Sequence, residues 1–135
     1  MIKKFMKKNI LLLAVFIVML VIIGCSNNSA TEAGFTVISS EEAKQRLDND
    51  EKIIVLDVRT KEEYESGHIP HAILIPVNNL QEQAEHILID KGKPIFVYCR
   101  SGNRSAVASN ILVKLGYSQV YNLGGINDWP YELVK

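Results

Sequence analysis

The residues best suited to chemistry lie together in Cys99–Arg100–Ser101–Gly102–Asn103–Arg104–Ser105. A thiol becomes a nucleophile as its thiolate, so the question is what would stabilise the anion here. Ahead of the cysteine, Pro94 opens the apolar run Ile95–Phe96–Val97–Tyr98, whose β-branched and aromatic residues predict a strand buried on both faces. Behind it, from about Ser105 to Leu115, Ala106, Val107, Ile111 and Leu115 recur at helical spacing, and Gly116 ends the pattern. Cys99 is therefore expected in a tight turn from strand to helix, with Gly102 and Asn103 supplying unusual backbone angles. Amides in such a loop point inward, beside the unpaired N–H groups of the first helical turn. Those dipoles, with Arg100 and Arg104, favour the Cys99 thiolate. Ser101, Gly102 and Asn103 would act mainly through their backbone amides. The chemistry this predicts is nucleophilic attack by sulfur.

The rest of the chain supplies elements that can hold such a loop. Phe35 to Ile38 reads as a first short strand, and Ser39 with Glu42 as a capping box opening a helix that ends near Asp48–Asn49. Ile53 to Val58 is a second apolar strand, ending in Asp57–Val58–Arg59. Thr60 with Glu63 forms another capping box, for a short helix through Tyr64 that Gly67 closes. Ile73 to Pro76 is a short strand, and Leu80 to Leu88 a helix with Leu80, Ala84, Ile87 and Leu88 facing inward. Val120 to Leu123 follows as a strand, then a Gly124–Gly125 turn and Trp129, which is read as packing. Strands alternating with helices predict an α/β domain with a largely parallel sheet. In such sheets ligands sit beyond the carboxyl ends of the strands, where Cys99 falls.

Several of these residues carry a family resemblance. The loop from Cys99 to Ser105 resembles the active-site loop of single-domain rhodanese-like sulfurtransferases. The likeness extends to Asp57–Val58–Arg59, to Glu62–Glu63–Tyr64–Glu65–Ser66–Gly67–His68–Ile69–Pro70, and to Gly124–Gly125–Ile126 with Trp129, covering roughly residues 35 to 135. The resemblance implies helices on both faces of the sheet and Cys99 as the catalytic nucleophile. Cys99 would take a sulfane sulfur from thiosulfate, polysulfide or a persulfide, hold it as a persulfide, and pass it to a thiol or cyanide acceptor. No metal or organic cofactor is needed. Arg100 and Arg104 would bind an anionic donor or stabilise the thiolate. The strand-end Asp57 invites a general-base reading, but an acidic nucleophile needs no base. The resemblance instead implies that Asp57 and Arg59 buttress the loop through ion pairing, with Glu63 as a candidate partner. The family usually reads Gly-His-Ile-Pro-Gly-Ala where this chain has His71 at the second glycine, and histidine tolerates the positive φ such a position needs. His68 is read as a structural hydrogen-bonder and His86 as a surface residue.

Two other classes share parts of this pattern. Cysteine phosphatases and arsenate reductases also place a cysteine loop between strand and helix, but their loop is one residue longer than the four between Cys99 and Arg104. The shorter ring suits a single sulfur better than a tetrahedral phosphate. A rhodanese-like module that only binds a partner, or that does thiol redox chemistry at a membrane surface, is the remaining alternative. Loss of the cysteine usually marks the non-catalytic modules, and Cys99 is present.

The 135 residues suffice for one domain, preceded by a segment of different character. Lys3, Lys4, Lys7 and Lys8 precede the apolar run Ile10 to Ile23, 14 residues without interruption. As a helix it would reach about 21 Å, short of the ~30 Å hydrocarbon core, which fits a secretory signal peptide better than a spanning anchor. Ile22–Ile23–Gly24–Cys25 resembles the lipobox of bacterial lipoprotein signal peptides. That resemblance implies removal of residues 1–24, lipidation of Cys25, and a membrane-anchored protein on the extracytoplasmic face, periplasmic or at the cell surface. Residues 25–34, small and polar, read as a flexible tether. Without residues 1–24 the chain has 11 basic and 15 acidic residues, a balance of −4, which argues against a nucleic-acid partner. The two cysteines form no CxxC, and the three histidines stand at no familiar zinc spacing.

Overall fold

The computed structural model describes residues 34–135. The expectations for the signal peptide, for Cys25 and for the tether as far as residue 33 lie outside the described residues. Five strands form one sheet: β1 (Thr36–Val37), β2 (Ile54–Asp57), β3 (Ile73–Leu74), β4 (Ile95–Cys99) and β5 (Val120–Gly125). Their order is β1-β5-β4-β2-β3, and every neighbouring pair is parallel. The helices are α1 (Ser40–Asn49), α2 (Lys61–Ser66), α3 (Val77–Ile87) and α4 (Asn103–Lys114), with a 3₁₀ turn at Ile126–Asp128.

All five residues of β4 are buried, and their alternation divides the interior in two. Ile95, Val97 and Cys99 join the core under α3 and α4, with Leu80, Ala84, Ala108 and Leu112. Phe96 and Tyr98 join the opposite core with Ala43 of α1, and Tyr64 of α2 packs against it. Helices therefore cover both faces, as a sheet of doubly buried parallel strands requires. Because the strands run the same way, their carboxyl ends share one edge, and Cys99, the last residue of β4, stands there.

Capping fixes the shorter elements. Ser39 Oγ accepts from Glu42 N at 3.2 Å to start α1. At α2 the box is complete: Glu63 N donates to Thr60 Oγ1 at 3.3 Å, and Thr60 N donates to Glu63 Oε2 at 3.0 Å. His71 takes φ 63° in the connection from α2 to β3, as its place in the sequence motif anticipates. That connection enters β3 at its amino end, away from the edge that carries Cys99.

Four expectations are corrected. Ile87 is 44% exposed, because α3 ends there and Leu88 turns into the core in its place. The inward face of α4 is Ser105, Ala108, Ser109 and Leu112, while Val107 is 54% exposed. Asn103 is the first residue of α4, with no unusual backbone angle, since Gly102 alone makes the turn at φ 104°. Gly124 and Gly125 belong to β5, where a register shift opposite Val97 and Tyr98 absorbs the irregularity.

Candidate active site

The left-handed Gly102 brings the chain into α4 two residues earlier than the apolar spacing suggests, so the amide of Ser105 falls within the first turn. The loop thus closes around Cys99 Sγ. Gly102 N donates to the sulfur at 3.1 Å. Burial works to raise the thiol pKa, but hydrogen bonding from the Ser105 amide, the Gly102 amide, the Ser105 hydroxyl and the Ser101 amide outweighs it and lowers the pKa. These peptide dipoles, rather than the two guanidiniums, make the largest favourable contributions. Ser105, fully buried, also bonds Gly102 O through its hydroxyl at 2.9 Å and so ties the ring shut. Alkylation of Cys99 by iodoacetamide should therefore follow a titration whose midpoint lies below the ~8.5 of an ordinary cysteine. The rate holds above that midpoint and falls as pH drops through it. A midpoint at or above the ordinary value would contradict the amide account.

The loop rests on β5. A Cβ at Gly125 would lie 2.5 Å from Arg100 O and 2.9 Å from Ser101 Cα. No side chain fits between, so the glycine is there to let the two backbones touch. Asn127 N donates to Arg100 O at 3.3 Å from the same side. Gly125→Ala must displace the loop, and a shift near 1 Å in such a site costs about 10²-fold in kcat/KM. The melting curve should move by only about 1–3 kcal/mol of overpacking. Turnover that survives in a folded Gly125→Ala protein would show that the loop does not depend on this seat.

Beneath the loop lies a buried polar network. Asp57, fully buried, accepts from Arg59 Nε and Nη2, the latter at 2.7 Å to Oδ2, and from the Tyr98 hydroxyl at 2.7 Å. Arg59 Nη2 also donates to Gly67 O at 2.8 Å, and Ile69 N donates to the Tyr98 hydroxyl at 3.1 Å. Burial works against the Arg59 charge, but Asp57 more than restores it and the pKa is raised. Burial and the neighbouring Asp57 push the Tyr98 phenol well above its usual range, so it stays a donor. The network joins β2, β4 and the segment after α2, and every member has a partner, which is what makes a buried charge tolerable.

Arg59 does not pair with Glu63. That carboxylate instead takes Arg104, Nη1 to Oε2 at 2.7 Å and Nη2 to Oε1 at 2.9 Å, because the first turn of α4 lies beside the first turn of α2. Arg100 is exposed and forms no ion pair among the described residues. Ser101 and Asn103 are also exposed at the mouth. His68 stacks on Tyr64 with centroids 3.7 Å apart, and its Nδ1 lies 3.0 Å from Tyr64 O, a structural position. His86 is exposed, and Trp129 is buried against Tyr131. Sequence reasoning missed Tyr98 and Gly125 as parts of the site, gave Glu63 a different partner, and placed Ser105 in the loop without a role toward the sulfur. Tyr98 had a signal: a phenol in a doubly buried strand needs a polar partner.

A parallel α/β sheet with a cysteine of lowered pKa in an amide-lined loop at a strand's carboxyl end is the architecture of a cysteine-loop enzyme. Over residues 39–131 the sequence matches the rhodanese-like domain family. It is 38% identical over 80 residues to the thiosulfate sulfurtransferase PspE of Escherichia coli, covering 59% of this chain and 77% of that protein. It is 36% identical over 107 residues to YrkF of Bacillus subtilis, covering 78% of this chain but only 57% of that relative. A solved rhodanese with anions from E. coli superposes with a TM-score of 0.58 at 36% identity, over 62% of this chain and 98% of that one. The chain belongs to the rhodanese-like domain family. It is a rhodanese-type sulfurtransferase.

Proposed function

We propose that this sulfurtransferase carries a sulfane sulfur on Cys99, from thiosulfate, polysulfide or a persulfide to a thiol or cyanide acceptor. The supporting observation is the Gly102 amide donating to Cys99 Sγ at 3.1 Å, with the Ser105 and Ser101 amides also acting to lower the thiol pKa. In the first half-reaction the Cys99 thiolate attacks the outer sulfur of the donor. The donor's sulfur–sulfur bond breaks, its electron pair leaves with sulfite or a thiolate, and Cys99–S–S⁻ remains. In the second, the acceptor attacks the outer sulfur and the Cys99 thiolate leaves. The negative charge migrates by one atom, and inward amides stabilise it as an oxyanion hole does for oxygen. No step requires a proton to be taken by Asp57, which is fully engaged by Arg59 and Tyr98. Arg100, exposed at the mouth, would guide anionic donors.

The direct test follows sulfite release from thiosulfate, and sulfide release from a persulfide in the presence of excess thiol. Turnover with either donor supports the reading; silence with both opposes it. The location is proposed from the sequence: Cys25 as a lipid-bearing residue that holds the domain at the outer face of a membrane. Intact mass of the wild type expressed with its membrane should show residues 1–24 removed and acyl mass on Cys25, whereas Cys25→Ala should keep residues 1–24 and carry no acyl mass. A wild type that keeps residues 1–24, or that carries no acyl mass, would reject it.

A further inference from the structure

Arg104 is not available to a substrate as a free cation. Both of its terminal nitrogens are taken by the two oxygens of Glu63, at 2.7 and 2.9 Å. The carboxylate is itself fixed, since Oε2 accepts Thr60 N as half of the α2 capping box. The pair is bidentate, with side chains only 34% and 26% exposed, a geometry that sets it apart from ordinary surface ion pairs. Arg104 holds the Glu63 carboxyl at about 2, so the clamp stays charged across the working pH range. Of the two loop arginines, then, only Arg100 keeps an uncompensated charge among the described residues.

The candidate donors differ in the charge they bring. A simple alkyl persulfide reacts as R–S–S⁻ with Cys99–S⁻ to give R–S⁻ and Cys99–S–S⁻, two negative charges throughout. Thiosulfate brings two charges of its own, so its reaction carries three and releases the sulfite dianion. Resting on the Cys99 sulfurtransferase reading, we propose that Glu63, by neutralising Arg104, biases the site toward singly charged persulfides over dianionic thiosulfate. Glu63 acts through Arg104 and so is a positioning residue that sets donor choice.

The test uses the full-length chain in detergent, with thiosulfate and hydroxyethyl persulfide as donors. Second-order rates of sulfur loading are read by intact mass for wild type, Glu63→Gln and Arg104→Gln. Glutamine keeps an oxygen for the Thr60 amide and Arg104 Nη1, and it removes the charge together with the second acceptor that faces Arg104 Nη2. In Glu63→Gln the ratio of thiosulfate to persulfide loading should rise about tenfold at low salt, as one negative charge near a dianion is withdrawn. The gain should shrink in ~1 M salt. In Arg104→Gln, which leaves Glu63 unopposed, the ratio should fall by a similar factor. If both donors change equally in both variants, or the ratio stays put, Glu63 is merely structural and the proposal is overturned. If neither donor loads wild-type Cys99, the sulfurtransferase reading itself fails, and the proposal falls with it. The two failures are distinct, because a ratio exists only when loading occurs.

Discussion

Cys99→Ser is expected to lose sulfur transfer by on the order of 10³-fold or more while melting close to the wild type. Serine replaces one atom in a site already built from Gly102, Ser105 and Ser101 donors, so packing barely changes. The chemistry changes entirely. A hydroxyl is essentially unionised at neutral pH, and oxygen cannot carry the sulfane sulfur as a stable persulfide equivalent. Amides that favour the Cys99 thiolate would still be in place and would have no anion to stabilise. Turnover and thermal melts on the same preparations separate the two effects. A variant that kept a tenth of wild-type turnover would show that Cys99 is not the sulfur carrier.

The second large effect concerns stability. Asp57→Ala leaves the Arg59 guanidinium buried without its counter-ion, and it strips the Tyr98 hydroxyl of its acceptor. Breaking one side of a buried pair costs about 3–5 kcal/mol, against about 5–15 kcal/mol for a whole domain. For a domain near 100 residues this lowers Tm by more than about 10 °C. Replacing both partners together, as Asp57→Leu with Arg59→Met, should recover much of the loss, because no lone charge is then buried. The comparison also decides what Asp57 is for. If Asp57→Ala melted normally and lost only turnover, the carboxylate would be a catalytic base and the buttress account would fail.

How far this site could be read from sequence depends on the range of the interactions. The Thr60–Glu63 box and the β4 strand were legible because they are set by neighbours a few residues apart. The strand-to-helix cysteine turn was legible too, since Gly102 is the residue that permits φ 104°. The buried face of α4 was not. Hydrophobicity drew the stripe through Val107 and Ile111, whereas the helix lies close to the sheet on small residues, Ser105, Ala108 and Ser109. A buried serine carries no apolar signal, and Ser105 is tolerated inside because its hydroxyl finds Gly102 O. Gly125 looked like a turn residue, and only the backbone of Arg100 and Ser101 pressed against it reveals its purpose. Arg104 and Glu63 are 41 residues apart, and nothing local says that α2 and α4 begin side by side. The switch of Glu63 from Arg59 to Arg104 could be found only in three dimensions.

The central claim is that Cys99 alternates between a thiolate and a persulfide, and intact mass tests it most directly. The reduced chain and its Cys99→Ser variant are each incubated with thiosulfate or hydroxyethyl persulfide, weighed, then treated with excess thiol and weighed again. A gain of one sulfur atom in the wild type, removed by the thiol and missing from the variant, is the predicted result. A wild type whose mass never changes, or a variant that gains the same sulfur, would contradict the account.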